Sequence, residues 1–231
     1  MKRTTIALMI SAIALSNSNH VWAKSTDTSI IETQAIAQQA PGFFRFNLGK
    51  MRITALYDGL ATLPASFFKG ISSTDVENNW KSTHDYTPNG IEDSVNAYLI
   101  DTGNNLIMVD AGGSKCFPNM GELKDNLRQT GYAPNDVDAI VITHFHPDHS
   151  CGISDAQGQD LYSNATIYVN EKEAAYWLNA EQTAKAPKEV QGMFLMQQKA
   201  VAPYQANRRF KTFKAGDELF SGVKAIAAYG H

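Results

Sequence analysis

Three histidines and one aspartate lie within six positions of the stretch THFHPDHSCG, residues 143–152. The whole chain has six histidines, so half of them fall in this one segment. Neutral imidazoles and a carboxylate are ligands that zinc and similar divalent metals accept. One residue separates His144 from His146, and this spacing lets both side chains point to the same side of an extended segment. We interpret the cluster as a metal site rather than as chance histidines on a surface loop.

Four ligands so close together can hardly all serve one tetrahedral ion. The simpler arrangement has two ions, with His144 and His146 on one and with Asp148 and His149 on the other. Asp148 is then also the residue on which catalysis is predicted to depend. Pro147 predicts that no helix forms through the motif, which would place it in a loop after the apolar strand 139–142.

Composition and charge narrow the class of protein. The chain has 231 residues, of which 43% are hydrophobic and 19% charged, and this is ordinary for a globular domain with a sizeable core. The formal net charge is −3 and no basic stripe is present, so nucleic acid is not an expected partner.

The N-terminal residues are typical of an export signal. Two positive charges precede an apolar run from Ile6 to Leu15, which is too short to span a bilayer. Val21 and Ala23 give the small-x-small pattern that a signal peptidase accepts. We therefore predict a signal peptide over residues 1–23 and a periplasmic or secreted protein without a stable membrane anchor.

The remaining chain is predicted to be one α/β domain. Residues 24–40 form a polar lead-in segment, and residues 41–231 alternate β-hairpins with strand–helix pairs, which favours a mixed sheet. Turns at residues 47–50 and 101–104 predict the two hairpins. We also expect a helix over 121–130 with Asn119 as its cap, a helix that Pro203 ends, and a last strand in GVKAIAAYGH.

The motif H-x-H-x-D-H after an apolar strand, with Gly152 soon after, resembles the signature of the metallo-β-lactamase superfamily. The preceding hairpin, VNAYLIDTGNNLIMVDAGG, is similar to that of the family, and its DAG matches the usual Asp-x-Gly. The resemblance runs from about Phe43 to the last residue. It implies a four-layer αβ/βα sandwich that holds two divalent ions, zinc above all, at one edge of its two sheets.

The resemblance also assigns roles to residues outside the motif. His231 matches the histidine of a family loop, Gly-His-Thr-Pro-Gly, that completes the first metal site; a disordered terminal histidine is the alternative. Asp110 is expected beside the metals, orienting the histidine loop, unless it only forms a turn at the end of its strand. The family's bridging aspartate and final histidine have no counterpart here, so the second half of the sandwich is expected to be incomplete.

The expected activity follows from the same resemblance. The signal peptide and the segment PGFFRFNLGKMRITALYDGLATLP are similar to exported hydrolases of the methyl parathion hydrolase type, whose relatives include lactonases. This implies a dinuclear metal-dependent hydrolase that attacks a small-molecule lactone, ester or phosphotriester through a metal-bound hydroxide. Two alternatives stay open: a non-catalytic metal-binding fragment that lacks two ligands, and a β-lactam hydrolase.

Two further expectations concern side chains near the motif. In the family fold the loops that carry Cys116 and Cys151 approach the same edge, so the resemblance leaves two alternatives open: a disulfide between them, or two buried or loop thiols. Trp177, Met193 and Phe194 could wall an apolar substrate pocket or pack in the core.

Signal cleavage gives the first testable prediction. Mass spectrometry of the exported protein should find Lys24 as its first residue, because Val21 and Ala23 mark the cleavage site. Soluble protein outside the cytoplasm that still begins with Met1 would contradict it.

Overall fold

The computed structural model describes residues 40–229, so the predicted signal peptide, almost all of the lead-in segment and His231 lie outside the described residues. From Pro41 onward the chain forms one compact unit. Among the described residues, no helix is both long and apolar enough to cross a membrane.

One large mixed sheet organises the described chain. Its order is β1-β2-β4-β5-β6-β7-β8, with β3 paired to β4. The pairs from β1 to β5 are antiparallel and those from β5 to β8 are parallel, while β9 and β10 form a separate hairpin. The strands are β1 (Phe43–Leu48), β2 (Met51–Leu63), β3 (Tyr86–Thr87), β4 (Gly90–Asp101), β5 (Leu106–Val109), β6 (Ala139–Ile142), β7 (Thr166–Asn170), β8 (Phe210–Phe213), β9 (Glu218–Phe220) and β10 (Val223–Lys224).

The helices bury one face of this sheet. Their apolar residues, such as Leu127, Phe194 and Val201, join strand residues such as Ile140 and Ile167 in the main core. The opposite face is covered in part by the β9–β10 hairpin, which packs near Val141. The helices are α1 (Ser73–Trp80), α2 (Leu123–Gln129), α3 (Pro147–Ser150), α4 (Glu171–Trp177), α5 (Ala180–Lys185) and α6 (Lys188–Ala206).

The predicted fold class and hairpins are confirmed. The sheet with its helices is the expected α/β architecture, and β1–β2 and β4–β5 are the two hairpins. Strand β6 has the predicted bounds and is buried at all four positions.

Both predictions about proline were wrong. Pro147 begins the helical turn α3, where its fixed φ suits a helix and its missing N–H would have no partner in the helix anyway. Helix α6 continues past Pro203 to Ala206. Beyond that proline Tyr204 is fully buried, and its packing outweighs the loss of one helical hydrogen bond near the end of the helix.

Two other local predictions need correction. Helix α2 begins at Leu123, and Asn119 does not cap it. A distant carboxylate, that of Asp58, accepts the N–H of Leu123 instead. The last predicted strand is limited to β10, because residues 225–229 have no strand partner among the described residues.

Asp58 lies at a β-bulge in β2. The strand register shifts between Tyr57 and Gly59, so the residue between them has no partner on β4. A bulge re-aims the side chain at that position. Here it turns Asp58 into the protein, where only 1% of the residue is exposed.

The buried carboxylate of Asp58 accepts backbone hydrogen bonds from two segments. Oδ2 accepts from the N–H of Gly113 at 2.8 Å and of Ser114 at 3.3 Å. Oδ1 accepts from the N–H of Gly121 at 3.2 Å and of Leu123 at 3.0 Å. One charge therefore fixes both the loop after β5 and the start of α2, and the donors compensate its burial.

A disulfide fastens the same loop to the histidine motif. Cys116 and Cys151 are bonded, so the structure decides between the two alternatives in favour of the disulfide. Met196 of α6 packs against it, with its Sδ 3.4 Å and 3.2 Å from the two sulfurs. The motif is thereby tied covalently to the loop that Asp58 organises.

Replacing Asp58 tests how much the fold depends on this carboxylate. Asp58→Asn should lower the free energy of unfolding by about 2–4 kcal/mol, since an amide turns N–H groups toward some of the same donors and removes the charge. Asp125→Asn, on the exposed face of α2, is the matched control and should change it by less than about 0.5 kcal/mol. Denaturant titration measures the free energy of unfolding of both variants. Equal losses in the two would contradict the role assigned to Asp58.

Counting titratable thiols tests the disulfide between Cys116 and Cys151. Labelling under denaturing, non-reducing conditions should find no titratable thiol in the oxidised protein. Reduction should lower the free energy of unfolding by about 3–4 kcal/mol, because the bond closes a loop with a sequence separation of 35. Two titratable thiols before reduction would rule the bond out.

Candidate metal centre

The histidine motif leaves the sheet at the carboxyl end of β6. Its alternate residues anchor it, since Phe145 is fully buried and Pro147 is buried as well. The N–H of Phe145 donates to Glu173 Oε2 of α4 at 2.8 Å. With these residues packed inward, His144 and His146 are left half-buried at the surface of the core.

The three imidazoles of the motif lie together. The ring centroids of His144 and His146 are 4.7 Å apart, and those of His144 and His149 are 4.1 Å apart. The edge of His146 also faces Trp177, at 6.0 Å between ring centroids. The sequence spacing therefore does bring these side chains to one place.

Asp110 links the end of β5 to the motif. Its Oδ1 accepts from the N–H of Thr143 at 2.8 Å, and its Oδ2 lies 2.9 Å from Nδ1 of His149. Its φ of 59° is left-handed, which an aspartate tolerates better than most residues. Asp110 thus follows the last residue of β5 and contacts the histidine loop, while its predicted role beside the metals stays a prediction.

His149 lies between two carboxylates. Its Nδ1 lies 2.9 Å from Oδ2 of Asp110, and its Nε2 lies 3.1 Å from Oδ2 of Asp148. Burial lowers the pKa of His149, but the hydrogen bonds and charges of the two aspartates outweigh it and raise the pKa to about 10. Burial raises the pKa of Asp148. The hydrogen bond and the charge of His149 lower that pKa by more, so the net shift is downward.

The donor chemistry of Asp148 and His149 fits a divalent metal. The Asp110 contact at Nδ1 leaves Nε2 facing Asp148, as in a histidine ligand oriented by a carboxylate. Two ligands of a tetrahedral zinc are about 3.3 Å apart if each bond is about 2.0 Å, and this pair is close to that spacing. Binding there would require His149 to lose a proton.

The described residues do not make a complete site. Within residues 40–229, no group of three or more His, Cys, Asp or Glu side chains is arranged to hold a metal ion. The predicted third ligand of the first site, His231, lies outside the described residues. The structure therefore brings together His144, His146, Asp148 and His149 and leaves the rest of the ligand set as a prediction.

An apolar cleft opens beside the histidines. Its volume is about 930 Å³, and Thr143, His144 and His146 form part of its wall. Trp177 and Phe194 both belong to the main core and line the cleft, so the two interpretations of these aromatics describe two faces of the same side chains. Other apolar walls are Met193, Phe213, Leu219, Ile226 and Tyr229.

Sequence reasoning missed several residues that hold the motif. The sequence analysis did not single out Asp58, although its place inside a largely apolar strand was an available signal. It did not single out Glu173 or Gln197 either. Their contacts with the motif depend on how α4 and α6 pack, and no local pattern marks them.

Comparisons with known proteins agree with this geometry. A family model described as the metallo-beta-lactamase superfamily matches residues 90–230, more than half of the chain. The crystal structure of hydrolase AbOPH, of the beta lactamase superfamily, is 41% identical with a TM-score of 0.72, over 79% of this chain and 64% of that one. The dizinc quorum-quenching lactonase AidC is 24% identical with a TM-score of 0.69, over 78% and 64%.

A curated relative matches a shorter part. The exodeoxyribonuclease WalJ of Streptococcus pneumoniae is 31% identical over 86 residues, which are 36% of this chain and 30% of that protein. The chain thus spans less than two thirds of the length of each of these relatives. The match of the family model, together with the histidine motif at the end of β6, shows that this chain belongs to the metallo-β-lactamase superfamily.

Proposed function

We propose that the protein is an exported dinuclear metal-dependent hydrolase that cleaves a small apolar lactone, ester or phosphotriester. The observation that carries the proposal is the position of His144 and His146 at the wall of a mostly apolar cleft, with the His149 ring 4.1 Å from that of His144 between centroids. The likeness to the hydrolase AbOPH supports the reaction class. The likeness to AidC supports the fold alone, so the choice of substrate rests on the cleft.

Zinc is the metal we propose, because three imidazoles and a carboxylate are its usual ligands. His144 and His146 would hold one ion, with His231 as a third ligand, and Asp148 and His149 would hold the other. When bound, such ions supply positive charge beside the substrate oxygen and lower the pKa of water. Asp110 would keep Nε2 of His149 directed at the site through its bond to Nδ1.

The cleft suits a neutral substrate with an apolar group. Trp177 and Phe194 pack against each other with ring centroids 4.6 Å apart and an interplanar angle of 40°, which gives an aromatic wall beside His146. Such a wall favours an acyl chain or an aromatic ring and excludes water from the reacting bond. The few charged lining residues, among them Lys172 and Glu173, leave little to bind a polyanion such as DNA.

Export is supported by the disulfide. A bond between Cys116 and Cys151 persists in an oxidising compartment and is rare in the cytosol. This agrees with the signal peptide predicted over residues 1–23.

A non-catalytic metal-binding chain is the second candidate. It is favoured by the donor geometry, because residues 40–229 supply pairs of ligands but no group of three. Turnover by the purified chain distinguishes the two candidates.

Asp148→Ala tests the proposed function. With zinc supplied, the wild-type protein should hydrolyse at least one of an acyl-homoserine lactone, an aryl ester and an aryl phosphotriester. The substitution should lower the rate by orders of magnitude, because it removes the carboxylate that lies 3.1 Å from Nε2 of His149. Thermal unfolding should change little, since Asp148 is partly exposed in α3, outside the core strands.

The control is Asp125→Ala, which removes an exposed carboxylate of α2 that does not line the cleft and should keep the wild-type rate. Wild-type protein that binds zinc but turns over none of the substrates would overturn the proposal in favour of the second candidate.

A further inference from the structure

A buried polar contact joins α6 to the backbone of the histidine motif. Ser150 and Gln197 are both fully buried. Ser150 Oγ lies 2.9 Å from the carbonyl oxygen of His146 and 2.6 Å from Oε1 of Gln197. A serine hydroxyl has one proton, so it can donate to only one of these two acceptors.

The amide of Gln197 resolves this conflict if it is the donor. Within the described chain its Nε2 has no hydrogen-bond partner, and a buried amide without one costs about 1–3 kcal/mol. Rotating the side-chain amide of Gln197 by a half turn exchanges Oε1 and Nε2, so that an N–H of Nε2 points at Ser150 Oγ. The hydroxyl then donates to the carbonyl of His146, and both close contacts are hydrogen bonds.

We propose that Gln197 and Ser150 form a relay that positions His146 for metal binding. The amide of Gln197 donates to the Ser150 hydroxyl, which donates to the His146 carbonyl. The same carbonyl accepts the N–H of His149 at 3.0 Å, so the relay acts where the two halves of the motif meet. Both side chains are positioning residues, and the inference rests on the proposed function only in taking His146 as a ligand.

The surroundings explain why a glutamine is placed there. Helix α6 also contributes Phe194 to the cleft and Met196 to the disulfide, so it contacts both sides of the motif. Those two contacts are apolar and have no directional preference. A directed hydrogen bond from Gln197 fixes the backbone at one point, and the buried amide would otherwise be a net cost in this core.

The affinity of the protein for zinc tests the relay and needs no measurement of substrate turnover. Competition with a chelator should show that Gln197→Met and Ser150→Ala each weaken zinc binding by about 10-fold, as lost support of a ligand does. The double variant should be no weaker than the weaker single one, because both changes interrupt the same hydrogen-bonded path. Gln191→Met is the control, since Gln191 of α6 donates to the Ala186 carbonyl, away from the motif, and it should keep the wild-type affinity.

Hydrogen exchange of the His149 amide tests the relay in metal-free protein. Exchange should be faster in Ser150→Ala and Gln197→Met than in Gln191→Met, because the acceptor carbonyl of His146 is no longer held. This readout decides the matter even if wild-type protein binds zinc too weakly to measure. Ser150→Ala removes a single oxygen, so it also serves if Gln197→Met unfolds.

Three outcomes would overturn the relay. They are wild-type zinc affinity in both relay variants, losses that multiply in the double variant, and unchanged exchange at His149. A wild-type protein that binds zinc and hydrolyses nothing would instead overturn the proposed function, while the relay would stand on affinity and exchange.

Discussion

The carboxylate of Asp58 is the contact on which the candidate site depends most. A buried charge has to be compensated, and here four backbone N–H groups from two segments of chain do so. The loop after β5 approaches so closely that a Cβ at Gly112 would lie 2.4 Å from the carboxylate carbon. The shape of this loop is therefore set by one side chain of β2, and the loop in turn holds Asp110 and Cys116 in place.

The histidine motif is supported at its backbone from several directions. Gly152 packs so tightly against the loop after β5 that a Cβ there would meet the carbonyl oxygen of Ala111 at 1.8 Å. Asp110 accepts from the N–H of Thr143, and Glu173 accepts from the N–H of Phe145. Main-chain support from separate elements thus holds the segment that carries His144 and His146 at the wall of the cleft.

The histidines of the motif join a charged group to the cleft. Asp110 and Asp148 concentrate negative charge around His149, and its ring lies 4.1 Å between centroids from that of His144 in the cleft wall. A divalent cation would offset this charge. Aromatic and aliphatic side chains form the remaining walls. This pairing of a histidine cluster with an apolar wall is what links membership of the superfamily to the proposed hydrolysis of small apolar substrates.

The sequence alone determined the family, the α/β class, the two hairpins, the bounds of β6 and the identity of the motif. These features are local, because strand patterns and ligand spacing extend over only a few residues. The tertiary structure alone decided the roles of Asp58, Glu173 and Gln197, which contact partners 28 to 65 positions away in the chain. It also decided that α6 continues through Pro203, since burial against the sheet outweighs a local helix-breaking preference.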